Sequence, residues 1–279
     1  MKADLIKVAL VQLDICWKNP QRNLNQIDRL IETISADLIV LPEMFATGFI
    51  DDPDQTELGD AISLDWMKQT TQRKNAAVTG SLAVEEKGVF YNRMYFVTPD
   101  HKVVCYDKKH LFALGNEAKV FQPGQEPVLA SYKGWKFSLS ICYDLRFPAW
   151  ARYHAPYDVL LCVANWPAPR VNAWDSLLCA RAIENQCYAI GVNRVGEDDK
   201  VKEYPGHSTT FTPMGESLGS QFGECVLRHT LSKNELQAVR KKLPYLKDRD
   251  IFDFKIYIFH IFNYIFHFFF WKFSQFTWF

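Results

Sequence analysis

An apolar run of the sequence stops abruptly at a cysteine, and this junction constrains the fold more than any other feature. Residues 137–141 alternate apolar side chains with serine, the period of a β-strand, and Cys142 follows directly. Polar residues and a proline within 143–148 then end the strand pattern. A side chain at such a junction projects from the sheet, and the N–H groups after it are free to stabilise an oxyanion. Because cysteine is also a common small core residue, a catalytic interpretation requires a base and a cation elsewhere in the chain.

The composition favours one α/β domain that acts on a small molecule. With 279 residues the chain can bury a large core, and no Gly-, Ser- or Pro-rich linker divides it. Lys plus Arg and Asp plus Glu both total 32, so there is no bulk positive field to attract nucleic acid. The N-terminal residues enter a strand without a signal-peptide core, from which we expect a cytoplasmic protein. The seven cysteines are scattered, which indicates neither a disulfide framework nor a paired metal site.

The hydrophobic pattern alternates strands with helices. Strands are predicted at 6–12, 37–42, 76–84, 89–97, 103–106, 137–141, 157–164 and 188–193. Helices are predicted at 23–35, 60–75 and 172–185, and a last helix begins after Ser232 and ends near Leu243. Turn signals between residues 84 and 103 predict that the strands flanking them are antiparallel neighbours.

Two further strand ends carry residues suited to catalysis. Glu43 follows a buried strand and precedes residues too apolar for an exposed loop, which favours a pocket, although most glutamates are solvated. Lys108 and Lys109 end another strand, where they are either a solvated pair or a source of positive charge that favours a thiolate and an oxyanion. Glu117 lies close enough in sequence to hold such a lysine. Because functional groups of α/β folds gather at one edge of the sheet, Glu43, a lysine and Cys142 are a candidate site.

These three motifs closely resemble those of the nitrilase superfamily of carbon–nitrogen hydrolases. Leu-Pro-Glu43, Tyr-Asp-Lys108-Lys-His-Leu-Phe and Cys142-Tyr-Asp-Leu-Arg-Phe-Pro occur in the family order, and the likeness runs from about residue 7 to residue 250. The resemblance implies an α/β fold, a four-layer α-β-β-α sandwich formed by residues 1–250, which assembles as a homodimer or a higher homo-oligomer. It implies a Glu–Lys–Cys triad of Glu43, Lys108 and Cys142, and it selects Lys108 over the neighbouring lysine. No metal or organic cofactor is expected.

The resemblance also implies roles for two supporting groups and indicates which reaction the protein catalyses. Glu117 is expected to orient Lys108, and the N–H of Tyr143 is expected to stabilise the oxyanion. Residues 164–170 and 180–186 resemble the omega-amidase branch, with its Nit-type and bacterial YafV members. These enzymes release ammonia from the distal amide of 2-oxoglutaramate or 2-oxosuccinamate through a thioester. The alternatives left open are another small amide, a carbamoyl compound or a nitrile as substrate, and a non-catalytic scaffold.

Three residues are candidates for binding the substrate. Arg146 is carried over from related amidases as a clamp for the substrate carboxylate, because a guanidinium suits a carboxylate geometrically. Its alternative role is to brace the turn through Asp144. Trp166 is expected to line the pocket opposite, and Arg170 to add a second positive charge. Ala149 stands where most relatives carry an acid, so any role of that acid is absent.

The last 29 residues, 251–279, do not match the composition of the chain before them. Residues 256–271 contain no Asp, Glu, Lys or Arg, yet they are fewer than the roughly 20 apolar residues of a usual transmembrane helix. Insertion as a single span is therefore not expected. Their aromatic and β-branched content without proline is typical of an aggregation-prone segment. The leading hypothesis is a shifted reading frame or other non-selected extension, and the alternative is a tail that contacts a membrane surface or another subunit.

Overall fold

The computed structural model describes residues 4–51, 60–152, 155–199, 201 and 203–250, so the predicted properties of 251–279 lie outside the described residues. The strands are β1 (Leu5–Gln12), β2 (Leu38–Val40), β3 (Ala77–Glu86), β4 (Val89–Val97), β5 (Val103–Asp107), β6 (Leu129–Tyr132), β7 (Trp135–Ile141), β8 (Val159–Ala164), β9 (Tyr188–Asn193), β10 (Val195–Gly196), β11 (Tyr204–Pro205), β12 (Thr209–Phe211) and β13 (Cys225–Ser232). The α-helices are α1 (Pro20–Ile31), α2 (Asp60–Lys74), α3 (Glu117–Val120), α4 (Val171–Asn185) and α5 (Lys233–Lys242). Three 3-10 helices span Cys142–Arg146, Ala168–Arg170 and Tyr245–Lys247.

Two mixed sheets form the framework. The first has six strands in the order β13-β1-β2-β3-β4-β5, and the second has five in the order β12-β9-β8-β7-β6. The antiparallel β3–β4–β5 run is confirmed. Its first turn is tight because Lys87 and Gly88 both have positive φ, 55° and 79°, which matches the twist of the flanking strands.

The sheets and helices pack as four layers, which confirms the predicted α-β-β-α sandwich. Apolar side chains from both sheets interdigitate between them, among them Leu10, Val40, Phe96, Phe137, Leu161 and Val192. Helices α1 and α2 cover the outer face of the first sheet, where Leu24, Ile27 and Met67 pack in one cluster with Val11 and Val78. Helix α4 covers the second sheet with Trp174, Leu178 and Ala182.

Strand direction determines where the site forms. β2 and β3 are parallel, and β5 runs the same way because two successive antiparallel pairings restore the direction. In the second sheet β7, β8 and β9 are parallel. The carboxyl ends of β2 and β5 therefore share one edge of the first sheet, and those of β7 and β8 share one edge of the second.

Several element boundaries differ from the predictions. Helix α1 begins at Pro20 instead of residue 23, because the Asn19 side chain accepts the N–H of Arg22 and the proline occupies the first turn, where no amide donor is needed. Strand β13 was not predicted, and it pairs antiparallel with β1 at the edge of the first sheet. Within the residues that the structure describes, no helix combines the length and apolarity needed to cross a bilayer.

Candidate active site

The three predicted triad residues lie at one cavity. Glu43 follows β2, Lys108 follows β5 and Cys142 follows β7. The cavity has a volume of about 230 Å³. Its other lining residues are Phe49, Asp51, Phe112, Leu114, Gly115, Tyr143, Arg146, Asn165, Trp166, Pro167, Arg170, Asp198, Val201 and Tyr204.

Cys142 occupies a strained position between β7 and the 3-10 helix that follows. Its φ is +46°, in the left-handed region that a non-glycine residue adopts at a cost of order 1–3 kcal/mol. This conformation turns the chain out of the strand direction at the cysteine. The thiol lies 4.0 Å from the carbonyl oxygen of Asn165, the first residue after β8. The predicted strand-to-turn junction at Cys142 is therefore present.

Lys108 is buried between two carboxylates. Its Nζ lies 2.9 Å from Oε1 of Glu43 and 2.9 Å from both carboxylate oxygens of Glu117. Glu117 also accepts the main-chain N–H of Phe112 at 2.6 Å. All three charged side chains are at most 1% exposed, so each relies on the others in place of water.

Burial and neighbouring charges shift the pKa values of the site. Burial acts to lower the pKa of Lys108, but Glu117 and Glu43 outweigh it and raise that pKa well above its ordinary value. Burial raises the pKa of Glu117, an effect that Lys108 opposes and Glu43 reinforces. Burial and Glu43 raise the pKa of Cys142 well above that of a free thiol, although Lys108 acts in the opposite direction. These effects favour the protonated thiol of Cys142 over its thiolate.

The two candidate arginines each lie against an aromatic ring of the cavity. The guanidinium of Arg146 is 4.8 Å from the ring centroid of Trp166. The guanidinium of Arg170 is 5.4 Å from the ring centroid of Phe112. Trp166 also donates its indole N–H to the carbonyl oxygen of Arg170 at 2.8 Å, so one side chain contacts both arginines. Stacking leaves the in-plane N–H donors of a guanidinium available to an anion.

The alternative role of Arg146, bracing the turn through Asp144, is not observed. Asp144 instead accepts hydrogen bonds from Tyr106, His110 and Ile141. Within the described residues, Arg146 forms an ion pair with no carboxylate. Tyr143 lies in the first turn of the 3-10 helix, where main-chain N–H groups have no acceptor within the helix, and its ring packs edge-on against Phe112.

Two asparagines of the site were missed. Asn92 donates its side-chain amide to Glu43 at 2.8 Å and to Glu117 at 3.0 Å. Asn165 donates its main-chain N–H to Oε2 of Glu43 at 2.9 Å and its side-chain amide to the carbonyl oxygen of Glu43 at 2.8 Å. Each carried a usable signal, because Asn92 interrupts an apolar strand and Asn165 directly follows a buried one. In the part of the chain that the structure describes, no group of His, Cys, Asp and Glu side chains is arranged to hold a metal ion.

Comparison with known proteins gives matches over most of the chain. Residues 7–241 match the family model described as carbon-nitrogen hydrolase. The chain is 40% identical over 250 residues to the omega-amidase YafV of Yersinia enterocolitica, covering 88% of this chain and 98% of that protein. It is 36% identical over 253 residues to a 2-oxoglutaramate amidase of Bacillus subtilis, covering 86% and 96%. The crystal structure of a CN-hydrolase superfamily protein from Xanthomonas campestris, with an arsenic adduct in its active site, superposes with a TM-score of 0.87 at 35% identity and covers 91% of this chain and 100% of that one.

Proposed function

The chain belongs to the carbon–nitrogen hydrolase family, and on that premise we propose that it is a cysteine-dependent amidohydrolase with Glu43, Lys108 and Cys142 as its catalytic triad. The observation that carries the proposal is that these three residues line one small cavity. A buried lysine between two carboxylates beside a protonated thiol is costly to maintain, and it supplies the base, the cation and the nucleophile that amide hydrolysis needs.

The first half of the reaction forms a thioester. Glu43 takes the proton of the Cys142 thiol, and the sulfur attacks the amide carbon while the carbonyl electron pair moves to oxygen. The ammonium of Lys108 and the N–H of Tyr143 stabilise this oxyanion; loss of one such donor typically costs roughly 100- to 1000-fold in rate. The carbon–nitrogen bond then breaks, and Glu43 returns its proton to the nitrogen, which leaves as ammonia.

The second half restores the enzyme. Glu43 takes a proton from water, the hydroxide oxygen attacks the thioester carbon, and the carbon–sulfur bond breaks. The sulfur regains a proton from Glu43 and the product leaves as a carboxylic acid. Glu117 holds Lys108 in place through both steps, because its two oxygens contact Nζ while its side chain does not line the cavity.

The proposed substrates are short 2-oxo dicarboxylic acid monoamides such as 2-oxoglutaramate and 2-oxosuccinamate. Arg146 and Arg170 line the same cavity as the thiol, and each guanidinium lies against an aromatic ring. Among the residues that the structure describes, neither forms an ion pair with a carboxylate. A substrate carboxylate would satisfy their free donors at the end of the molecule away from the reacting amide. The names of the relatives from Yersinia enterocolitica and Bacillus subtilis support this substrate class.

The direct test is ammonia release from 2-oxoglutaramate by the purified full-length chain. We expect turnover that is abolished in Cys142→Ala, with glutamine and a simple aliphatic amide as comparison substrates. Ammonia release from another amide or a nitrile, with none from 2-oxoglutaramate, would support the proposed triad and refute the proposed substrate. No ammonia release from any of these compounds would favour a non-catalytic scaffold.

The role of Arg146 as a carboxylate clamp is tested by measuring one substitution on two substrates, one with a carboxylate and one without. Arg146→Ala removes charge-assisted hydrogen bonds worth about 1.5–3 kcal/mol, so kcat/KM for 2-oxoglutaramate should fall by roughly 10- to 150-fold. Hydrolysis of butyramide, which has no carboxylate, should change by less than about threefold. Arg228→Ala removes an exposed arginine on β13 as a control. Equal losses on both substrates would refute the clamp.

We also propose that the enzyme is cytoplasmic and assembles as a homodimer or a higher homo-oligomer, as expected from its sequence and its family resemblance. Sedimentation equilibrium of the purified chain tests the assembly, and cell fractionation of the expressing organism tests the location. A monomer at assay concentration, or recovery with membranes, would refute the respective statement.

A further inference from the structure

A buried carboxylate outside the cavity connects the segments that carry two of the triad residues. Asp144 is 1% exposed and lies two residues after Cys142. Its Oδ1 accepts the main-chain N–H of His110 at 2.8 Å and lies 2.8 Å from Nδ1 of the same residue. Its Oδ2 accepts the hydroxyl of Tyr106 at 2.7 Å and the main-chain N–H of Ile141 at 3.0 Å.

The partners of Asp144 flank both catalytic positions. Tyr106 and His110 lie two residues before and two residues after Lys108, and Ile141 immediately precedes Cys142. The two segments belong to different sheets, since β5 ends the first and β7 lies within the second. Among the described residues, the hydrogen bonds of this carboxylate are therefore a direct polar link between the lysine backbone and the cysteine backbone.

Other contacts fix the same group of residues. The hydroxyl of Tyr106 accepts the indole N–H of Trp150 at 2.9 Å, so the tyrosine is oriented to donate to Asp144. The His110 ring stacks on Phe147 with centroids 3.7 Å apart and planes 8° apart. A carboxylate with each oxygen between two donors has its lone-pair positions occupied and is held rigidly.

We propose that Asp144 is a positioning residue that sets the placement of Lys108 relative to Cys142, and this inference rests on the proposed function. It does not touch the substrate, because it does not line the cavity. Its effect is geometric: a misplacement of about 1 Å between reacting groups can cost roughly 100-fold in rate. Removing the carboxylate should therefore lower the rate of chemistry and leave substrate binding nearly unchanged.

Asp144→Asn is the sharpest test, because an amide cannot serve both sets of donors. If the amide oxygen faces His110, the NH2 group faces the N–H of Ile141. In the opposite orientation the NH2 group faces the N–H of His110. Either way one main-chain N–H loses its acceptor and one segment is released. We expect kcat to fall by about 10- to 100-fold with KM within about threefold of wild type.

A second readout needs no substrate. Iodoacetamide alkylates the Cys142 thiol, and mass spectrometry of the peptide that contains Cys142 measures the rate. This rate depends on whether Glu43 and Lys108 keep their positions relative to the thiol. We expect at least about tenfold slower alkylation in Asp144→Asn. The matched control is Asp158→Asn, another buried aspartate that accepts a main-chain N–H, from Lys136, but at the opposite end of β8. That variant should lose stability and keep its alkylation rate.

The outcomes are separable. An Asp144→Asn protein that is folded and alkylated within threefold of the wild-type rate, or faster, overturns the inference while the proposed function stands. A wild type that is alkylated but releases no ammonia overturns the proposed function, and the alkylation ratio still tests Asp144. If Asp144→Asn does not fold, Tyr106→Phe decides, because it removes one donor and keeps both main-chain bonds. A loss of about three- to tenfold is then expected, and a rate within twofold refutes the inference.

Discussion

Replacing Glu117 by glutamine tests whether the second carboxylate of the cluster holds Lys108 in place. Glu117 is fully buried and contacts Lys108 at 2.9 Å through each oxygen. It also accepts Asn92 at 3.0 Å and the N–H of Phe112 at 2.6 Å. Glutamine has nearly the same shape but exchanges one oxygen for an NH2 group, so the substitution changes hydrogen bonding and charge with little change in packing.

The magnitude follows from these contacts. The glutamine amide can take two orientations. If its NH2 group replaces Oε2, the N–H of Phe112 loses its acceptor; if it replaces Oε1, the Asn92 side chain loses one of its two acceptors. A buried donor without a partner costs about 1–3 kcal/mol, and the lost bond to the Lys108 ammonium costs about 1.5–3 kcal/mol. Relief of repulsion between Glu117 and Glu43 offsets part of this sum. We therefore expect the free energy of unfolding to fall by about 2–4 kcal/mol.

The Glu117→Gln substitution should lower activity by lowering kcat. Lys108 keeps Glu43 as a partner, but its Nζ is no longer held from both sides, and a shift of this kind is expected to lower kcat by about 10- to 100-fold. Because Glu117 does not line the cavity, KM should stay within about threefold. Urea unfolding and steady-state ammonia release measure the two effects, with the exposed Glu126→Gln as control. A Glu117→Gln enzyme with wild-type kcat, or a loss confined to KM, would refute the reasoning.

Three other predictions follow from the same structure. Burial and Glu43 raise the pKa of Cys142, so ultraviolet difference spectra against Cys142→Ser should show no thiolate below about pH 8.5. The stabilisation that comes from keeping this thiol protonated should be fully present below that pH and lost as the pH rises above it. A thiolate that titrates near pH 6 would contradict this prediction. Gly191→Ala places a Cβ 2.3 Å from Leu178 Cδ1 and should lower the free energy of unfolding by about 1–3 kcal/mol. Gly88→Ala meets nothing within 4 Å and should cost only its backbone strain of about 1–2 kcal/mol. A Gly191→Ala protein with wild-type stability in denaturant melts would contradict the packing argument. Truncation after Asp250 should preserve ammonia release, because the family match ends at residue 241; an inactive truncated chain would give the last residues a role.

Local sequence patterns were sufficient for eight of the strands and for the polar residues that follow three of them, whereas the choice of Lys108 over Lys109 came from the family resemblance. Alternation and apolar runs are properties of a few consecutive residues, and the polar break after each run marks where a strand must end. The predicted strand 188–193 coincides with β9, and β3, β4 and β5 have the predicted pairing. The strands β6 and β13 were not predicted. β6 has only four residues, and β13 pairs at the sheet edge with β1, which lies far away along the chain.

The order of the residues shows where the strands end, and so it places Glu43, Lys108 and Cys142 at sheet edges. How those edges meet follows from the packing of the two sheets. The contact of Asn165 with Glu43 spans 122 positions, and that of Asp144 with His110 spans 34. Such contacts depend on the packing of one sheet against the other, which buries the charged groups away from water and so requires each of them to find a protein partner. No local pattern encodes that requirement, because the partner is specified by the fold and not by spacing along the chain.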